Sequence, residues 1–370
     1  MSYYSNGYYN IVDLYATGAD IMVAYGPRGN GKTEDGLRQF LEDHFKYGYK
    51  IGYVRRQPSD IKSNPDIPNL FASLVDRGFI DKYSNGDWNN VYYYGRKYYF
   101  SKVDDEGNII AKAKDCFCSI LTVYESGHYR GSGWANYNRL LFDEFIPETD
   151  EGYLSNEFTK FVNLLESVRR NKTDFKMLLL GNTISKYNNL YFKNLGISHY
   201  KEQEQGTIDI YESKDKKTKI AVEYTEGREN EAKESFYSMF QSEAIDMIMN
   251  GGWQSKYAPE PPVEFTRDNI RFSFYLLFDD ERIEGNIISA EKQTFLYLKR
   301  MAPEKDINKD KELIFQQGYS AKRNIRRNIL KPFDNVGNKI AKFFDRDLVF
   351  YEDNDVGEII RTYLTWCKTA

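Results

Sequence analysis

The octapeptide Gly26-Pro27-Arg28-Gly29-Asn30-Gly31-Lys32-Thr33 constrains this chain more than any other stretch. It follows a short apolar run, "DIMVAYG", and precedes a segment in which Leu37, Phe40, Leu41 and Phe45 recur on one helical face. That order reads strand, loop, helix. Glycines at the first and sixth loop positions let successive backbone N–H groups turn towards phosphate oxygens at a helix N-terminus. Gly26 to Thr33 are therefore the candidate nucleotide-binding residues, with Lys32 for the β and γ phosphates of ATP and Thr33 for Mg2+. By average residue usage a chance match in a chain this long is expected about once in a hundred.

Three further apolar runs follow: "YKIGYVRR" (49–56), "RLLFDEF" (139–145) and "FKMLLLGNT" (175–183). Each is too short and too continuous for a surface helix, so they read as strands buried on both faces of a parallel α/β sheet. Between the last two, Leu154, Phe158, Phe161, Leu165 and Val168 repeat at helical spacing, and this helix ends in Arg169 and Arg170.

The strand ends supply the remaining chemistry. Asp143 follows Leu140-Leu141-Phe142 and is the candidate Mg2+ carboxylate; Glu144, next along, is placed to polarise an attacking water. Asn182, at the end of the fourth run, can hold that water or sense the γ phosphate, or simply close a turn. Arg28 can reach the γ phosphate from within the loop. Arg170 lies too far along its helix for its own phosphates and either complements the helix dipole or, in a ring, enters a neighbour's site as an arginine finger. Arg55, Arg56 and Lys62 face a DNA channel, an adjacent subunit or solvent. The second acid after Asp143 favours ATP over GTP and hydrolysis over phosphorylation of a small substrate.

Composition bounds the partners. The 370 residues suggest two domains. At 41% hydrophobic and 29% charged, with no apolar run near the length of a membrane span, an intracellular protein without membrane contact is expected. Cys116, Cys118 and Cys367 do not form a disulfide framework or, with three scattered histidines, a zinc set. A net charge of −4 excludes a surface that grips DNA all over, so any nucleic-acid contact is local.

The insert from about 57 to 138 reads as a helix, a hairpin and another sheet strand. Residues 1–200 are expected to form the ATPase domain, 201–255 a charged linker or lid, and 256–370 a second domain, the boundary falling near Gly251-Gly252 and the following prolines. There, three strand-like runs, a helix, a strand and a helix (βββαβα) suggest a ribonuclease-H-like α/β fold. "FSFYLLF" offers no acid before Asp279; Asp279, Asp280, Glu352 and Asp353 are the acids available, and nuclease activity is not expected. The basic segment 320–331 is a candidate phosphate-backbone contact or a solvated loop.

"GPRGNGKT", "YVRR", "LFDEF", "NLLESVRRN" and "LLLGNT", in that order, resemble the genome-packaging ATPases of small podoviruses with a packaging RNA on the prohead, the Salasmaviridae-like group. These motors belong to the additional-strand, catalytic-glutamate P-loop ATPases near FtsK and HerA. The resemblance spans about 170 residues. It implies a homo-oligomeric ring, a pentamer, that moves double-stranded DNA into a prohead, with Arg170 acting in trans. It also implies a C-terminal domain like a terminase nuclease without its acids, contact with the portal and packaging RNA, and a place in the infected bacterial cytoplasm and transiently on the prohead. One departure is Gln57-Pro58, where the family places another basic residue. A helicase or other DNA translocase, and a nucleotide-switched assembly scaffold, are the alternative readings.

Overall fold

The fold is taken from a computed structural model that describes residues 8–131, 133–147, 152–183, 189–213, 217–226, 258–332 and 334–369. The first unit is one mixed sheet. After helix α1 (Val12–Ala16), strand β1 (Ile21–Gly26) runs into the glycine loop and helix α2 (Lys32–Tyr47), and β2 (Lys50–Arg55) follows. The insert contributes short helices α3 (Ser59–Lys62), α4 (Ala72–Asp76) and α5 (Phe79–Tyr83), then β3 (Asn90–Tyr94), β4 (Lys97–Val103), β5 (Ile109–Lys112) and β6 (Cys118–Thr122). The chain continues through β7 (Tyr137–Asp143), α6 (Glu157–Arg169), β8 (Lys176–Asn182), α7 (Leu190–Leu195), β9 (Ile208–Glu212) and β10 (Lys219–Tyr224). The sheet order is β3-β4-β6-β2-β7-β8-β1-β10-β9, with β5 paired to β4. β6, β2, β7, β8, β1 and β10 pair in parallel. β8 lies between β1 and β7, the additional strand that the resemblance implies.

Alternation along the central strands fills both faces. Met22 and Ala24 of β1, Leu141 of β7, and Leu178 and Leu180 of β8 pack with Leu37, Phe40 and Leu41 of α2. Val23, Tyr25, Leu140, Phe142, Met177 and Leu179 pack on the other face with Phe161, Leu164 and Val168 of α6. Each such side chain contributes about 1.5–3 kcal/mol by leaving water, which is why these strands read as unbroken apolar runs.

The boundary expected at residue 200 falls inside this sheet. β10 pairs in parallel with β1, from Ile21↔Ile220 to Tyr25↔Tyr224, and β9 closes that edge. "TKIAVEY" reads as polar because its lysine and glutamate flank the apolar positions, yet Ala221, Val222 and Tyr224 are buried. The remainder of the expected linker lies outside the described residues.

The second unit begins with a meander, β11 (Ile270–Phe278), β12 (Glu281–Ala290) and β13 (Gln293–Arg300). Its two-residue turns, Asp279-Asp280 and Glu291-Lys292, have positive φ at both residues, as tight hairpins require. β14 (Ile314–Gln316) joins β11 in parallel, and β15 (Ile325–Arg326) joins β14. α8 (Asn335–Asp345) and α9 (Asn354–Thr369) cover one face, where Ile340, Val356, Ile359, Ile360 and Tyr363 meet Phe274, Leu276, Phe278, Leu296 and Leu298. A meander extended in parallel from its first strand is the mixed sheet expected of a ribonuclease-H-like domain. The strand read at 346–353 corresponds to β16 (Val349–Tyr351), but it borders β13, at the edge away from β14 and β15. β14 and β15, of three and two residues, lie outside the strand-like runs of the sequence.

Candidate nucleotide site at the strand ends

The parallel strands end together, and the loop from Gly26 to Thr33 crosses their C-terminal edge. Gly26 has φ 154° and Gly31, capping α2, has φ 96°, both in the region that favours glycine. A Cβ on Gly26 would lie 2.2 Å from Thr225 Oγ1 and 2.7 Å from the Thr225 carbonyl oxygen. Thr225 follows β10, and its N–H donates to the Tyr25 carbonyl at 2.8 Å. Asn30 Nδ2 donates to Thr225 Oγ1 at 3.0 Å and to the Glu226 carbonyl at 3.2 Å. On the other side the Tyr9 N–H donates to the Asn30 carbonyl at 2.8 Å. The loop is thus clamped between the N-terminal segment and the end of β10.

Lys32 is buried, and its Nζ donates to the Pro27 carbonyl at 2.6 Å and Asn30 Oδ1 at 3.1 Å. Burial pulls its ammonium down from the usual 10.5 to about 7, against the upward pull of Asp143 and Glu223; Arg28 pushes it down further. Burial likewise raises the Glu223 carboxyl to about 7, although the Tyr9 hydroxyl, donating at 2.7 Å, favours its charged form.

The acids stand opposite. Thr33 Oγ1 donates to the Asp143 carboxylate at 3.2 Å, and the Tyr53 hydroxyl donates to Asp143 Oδ2 at 2.8 Å. Asp143 is raised by desolvation despite the nearby Arg55 guanidinium. Arg55 Nη2 donates to Glu144 Oε2 at 2.6 Å, and its Nη1 lies 3.8 Å from Asp143. Its Nε is buried with no hydrogen-bond partner among the described residues. Glu144 has φ 56°, a left-handed conformation that costs energy for a residue with a Cβ and clusters at functional sites.

Arg28, Gly29, Asn30, Gly31, Lys32, Thr33, Asp143, Glu144 and Asn182 line one cleft of ≈ 530 Å3, together with Tyr8, Glu34, Leu180 and Gly181. Gly26 and Asn182 are register partners on adjacent strands, which brings the fourth run's Asn to the phosphate loop. Arg170 does not line this cleft. It caps the C-terminus of α6 just ahead of β8, at the opposite end of the sheet from the loop, with Nε donating to the Ser167 carbonyl at 3.1 Å.

Neither Arg55 nor Arg56 faces a channel or solvent: both are buried, Arg55 against the two acids and Arg56 against Glu157. The run "YVRR" gives no sign of this, because internal pairing depends on acids about 90 and 100 residues away. Tyr8, Tyr53, Glu223 and Thr225 were not singled out in the sequence. Only Tyr53 had a signal, its place in an apolar strand that ends beside the acids.

In the second unit three of the four acids have separate partners. Asp279 pairs with Lys193 and Lys201, Glu352 accepts the Arg300 N–H and Asp353 accepts the Val356 N–H; Asp280 sits in the turn. In the basic segment, Lys322 pairs with Asp310, Arg326 with Asp334, and Arg327 stacks on Tyr319 and Trp366. Of the segment's five cations, Lys322 and Arg326 are thus paired with acids of the same domain.

A glycine loop whose donors converge at a helix N-terminus, a hydroxyl and carboxylate at 3.2 Å, and a second acid beside them form a donor set that suits a nucleoside triphosphate and a hard divalent cation. A family model described as podovirus DNA encapsidation protein (Gp16) matches residues 4–236. The DNA packaging protein of Bacillus phage phi29 is 26% identical over 182 residues, 49% of this chain and 48% of that protein. The DNA packaging protein of Bacillus phage B103 is 25% identical over 196 residues, 51% of this chain and 54% of that protein. The chain spans about half the length of these curated relatives. Among solved structures, the bacteriophage Phi-29 viral genome packaging motor assembly aligns at TM-score 0.57 and 16% identity, covering 97% of this chain and 100% of that chain. The Phi-28 gp11 DNA packaging motor aligns at TM-score 0.54 and 17% identity, covering 98% and 99%. At these identities the likeness establishes the fold.

Proposed function

Because the chain belongs to the podovirus DNA encapsidation (Gp16) family, we propose that it is the ATPase subunit of a motor that drives double-stranded DNA into a viral prohead. The observation that carries this reading is the convergence of Lys32, Thr33, Asp143, Glu144 and Asn182 on one cleft at the strand ends.

ATP is the proposed nucleotide. The loop N–H groups and Lys32 hold its phosphates, and Tyr8 borders the same cleft. Thr33 and Asp143 are the residues that would hold Mg2+, which when bound neutralises charge developing on the phosphate oxygens. Glu144 accepts a proton from the attacking water, Asn182 orients it, and Arg28 meets the γ phosphate. Arg55 restrains Glu144 through its 2.6 Å contact, so the acid must leave this partner to serve as a base.

Arg170 lies at the far end of its own sheet, which favours its use by a neighbour in a ring, taken to be a pentamer. The same reading gives the motor the portal and packaging RNA as partners and the infected bacterial cytoplasm, and transiently the prohead, as its location. The second domain lacks nuclease activity on this view, since Asp279, Glu352 and Asp353 each have a separate partner.

The test is DNA packaging with purified proheads, comparing wild type with Lys32→Ala and Glu144→Gln. ATP hydrolysis stimulated by duplex DNA plus proheads supports the motor, with Glu144→Gln binding ATP but neither hydrolysing nor packaging. Stimulation by single strands with unwinding would instead indicate a helicase. Packaging by Glu144→Gln would remove the motor reading and leave a nucleotide-switched scaffold.

A further inference from the structure

Arg55 and Arg56 are chain neighbours with separate partners. Arg55 contacts the acids of the cleft, whereas Arg56 leads away from it. Arg56 Nη2 donates to the Phe145 carbonyl at 2.8 Å, one residue beyond Glu144, and its Nε donates to both Glu157 oxygens at 3.1 and 3.2 Å. Glu157 is the first residue of α6 and is 1% exposed. Its Oε1 also accepts the Tyr191 hydroxyl at 2.8 Å, and its Oε2 accepts the Leu154 N–H at 2.7 Å.

Tyr191 is fully buried on α7, so the carboxylate ties the catalytic strand end to that helix. Two residues further, Lys193 Nζ lies 3.5 Å from Asp279 Oδ1, in the β11–β12 turn of the second unit. Lys201, beyond the helix, lies 3.9 Å from Asp279 Oδ2 and 3.5 Å from Glu281 Oε1. A continuous set of contacts therefore runs from the residue after Glu144 to the junction of the two units.

Stability alone does not require this set. A buried ion pair with a hydroxyl partner gives up so much hydration that well-packed apolar side chains of equal volume usually serve as well or better. A carboxylate placed only to satisfy the start of α6 needs the Leu154 N–H and the helix dipole, and neither Arg56 nor Tyr191. The far end has the opposite character. Lys193 is 54% exposed although Asp279 is 7% exposed, and at 3.5 Å their pairing is longer and more hydrated than the Arg56–Glu157 pair, hence more easily made or broken. The interior part is stiff and close-packed, while the junction is free to change state.

Resting on the reading of the cleft as an ATPase site, we propose that Glu157 is a positioning residue that couples Glu144 to the junction between the two units. When nucleotide draws Glu144 from Arg55, the adjoining Phe145 carbonyl shifts Arg56. Glu157 passes that shift to Tyr191 and α7, and the lysines of the junction change their pairing with Asp279 and Glu281. The second unit then responds to the nucleotide without touching it.

The experiment joins amine to carboxylate across the junction of the full chain with a carbodiimide, and locates Lys193–Asp279 and Lys201–Glu281 amides by mass spectrometry. Yields are compared without nucleotide and with a non-hydrolysable ATP analogue plus Mg2+. In wild type the yield is expected to change about fivefold between the two states, the size of a typical coupling between sites. Tyr191→Phe deletes one hydroxyl from a retained ring, and Glu157→Gln removes the charge; each should abolish the change. Each should also leave KM for ATP within about twofold and lower kcat about tenfold, because binding contacts are untouched. A residue with a merely structural role would lower the melting temperature and leave the nucleotide-dependent yield intact. That result in Tyr191→Phe, or a wild-type yield indifferent to nucleotide while ATP is hydrolysed, overturns the coupling. A wild-type chain that does not hydrolyse ATP overturns the reading of the cleft instead.

Discussion

On the proposed reading of the cleft, Lys32 should make nucleotide affinity depend on pH. Desolvation on burial pulls its ammonium down to about 7, whereas a free lysine stays charged to about 10.4. A triphosphate recognises the charged form, so binding at pH 9 requires proton uptake that is half complete at pH 7. Between pH 7 and 9 the protonated fraction falls about 50-fold, equivalent to about 2.3 kcal/mol, and the affinity should fall with it. The Mg2+ complex of a fluorescent ATP analogue, titrated from pH 6.5 to 9.5, measures this directly. Affinity should be level below pH 7 and then lose about tenfold per unit. The stability of the nucleotide-free protein runs the other way. Because the folded pKa is depressed, the unfolded chain binds more protons between about 7 and 10.4, and this group makes the fold more stable as pH rises through that window. Lys32→Arg keeps its charge throughout and should flatten the affinity profile, whatever its absolute affinity. An affinity unchanged from pH 7 to 9 in wild type would refute the reasoning, since Lys32 would then be charged before the ligand arrives.

Gly26→Ala should cost about 3 kcal/mol or more in urea unfolding, from the left-handed backbone and the collision with Thr225, and Thr225→Ala should recover only the part due to the hydroxyl. Wild-type stability in Gly26→Ala would disprove the close approach of β10 to the loop. Arg139→Met should destabilise by about 3–5 kcal/mol by leaving the buried Asp43 without its cation, and adding Asp43→Asn should restore most of the loss. Arg170→Ala should keep ATP binding and lose about a thousandfold in hydrolysis, and rings mixed with Lys32→Ala subunits should exceed either parent. Unimpaired hydrolysis by Arg170→Ala removes it from the site.

What could be read in advance was whatever local pattern encodes. The glycine loop, the four buried central strands and α6 each carry their signal within a few residues, and they fall at Ile21–Gly26, Lys50–Arg55, Tyr137–Asp143, Lys176–Asn182 and Glu157–Arg169. Asp143, Glu144 and Asn182 could be placed because parallel strands end on one side of a sheet. β10 escaped because Lys219 and Glu223 interrupt its apolar positions, and its partners, β1 and the Tyr9 hydroxyl on Glu223, lie about 200 residues away. The partners of Arg55 and Arg56 escaped for the same reason: the acids that bury them arrive from β7 and α6, and no spacing rule links those positions. Arg170 is the reverse case, a residue whose sequence context suggested a role at the nucleotide but which does not line the cleft of its own chain.

The prop beneath the phosphate loop also dictates an order of events at the ribosome. β1 and its loop leave the exit tunnel early, but the strand that backs them ends about 200 residues later. Such distant pairing closes late and slowly. A nascent chain therefore carries a complete nucleotide fingerprint for most of its synthesis without a finished cradle. The contacts that floor the loop form only as Thr225 and Glu226 emerge, and a fragment ending at residue 200 would keep every sequence hallmark of the proposed site while lacking that floor.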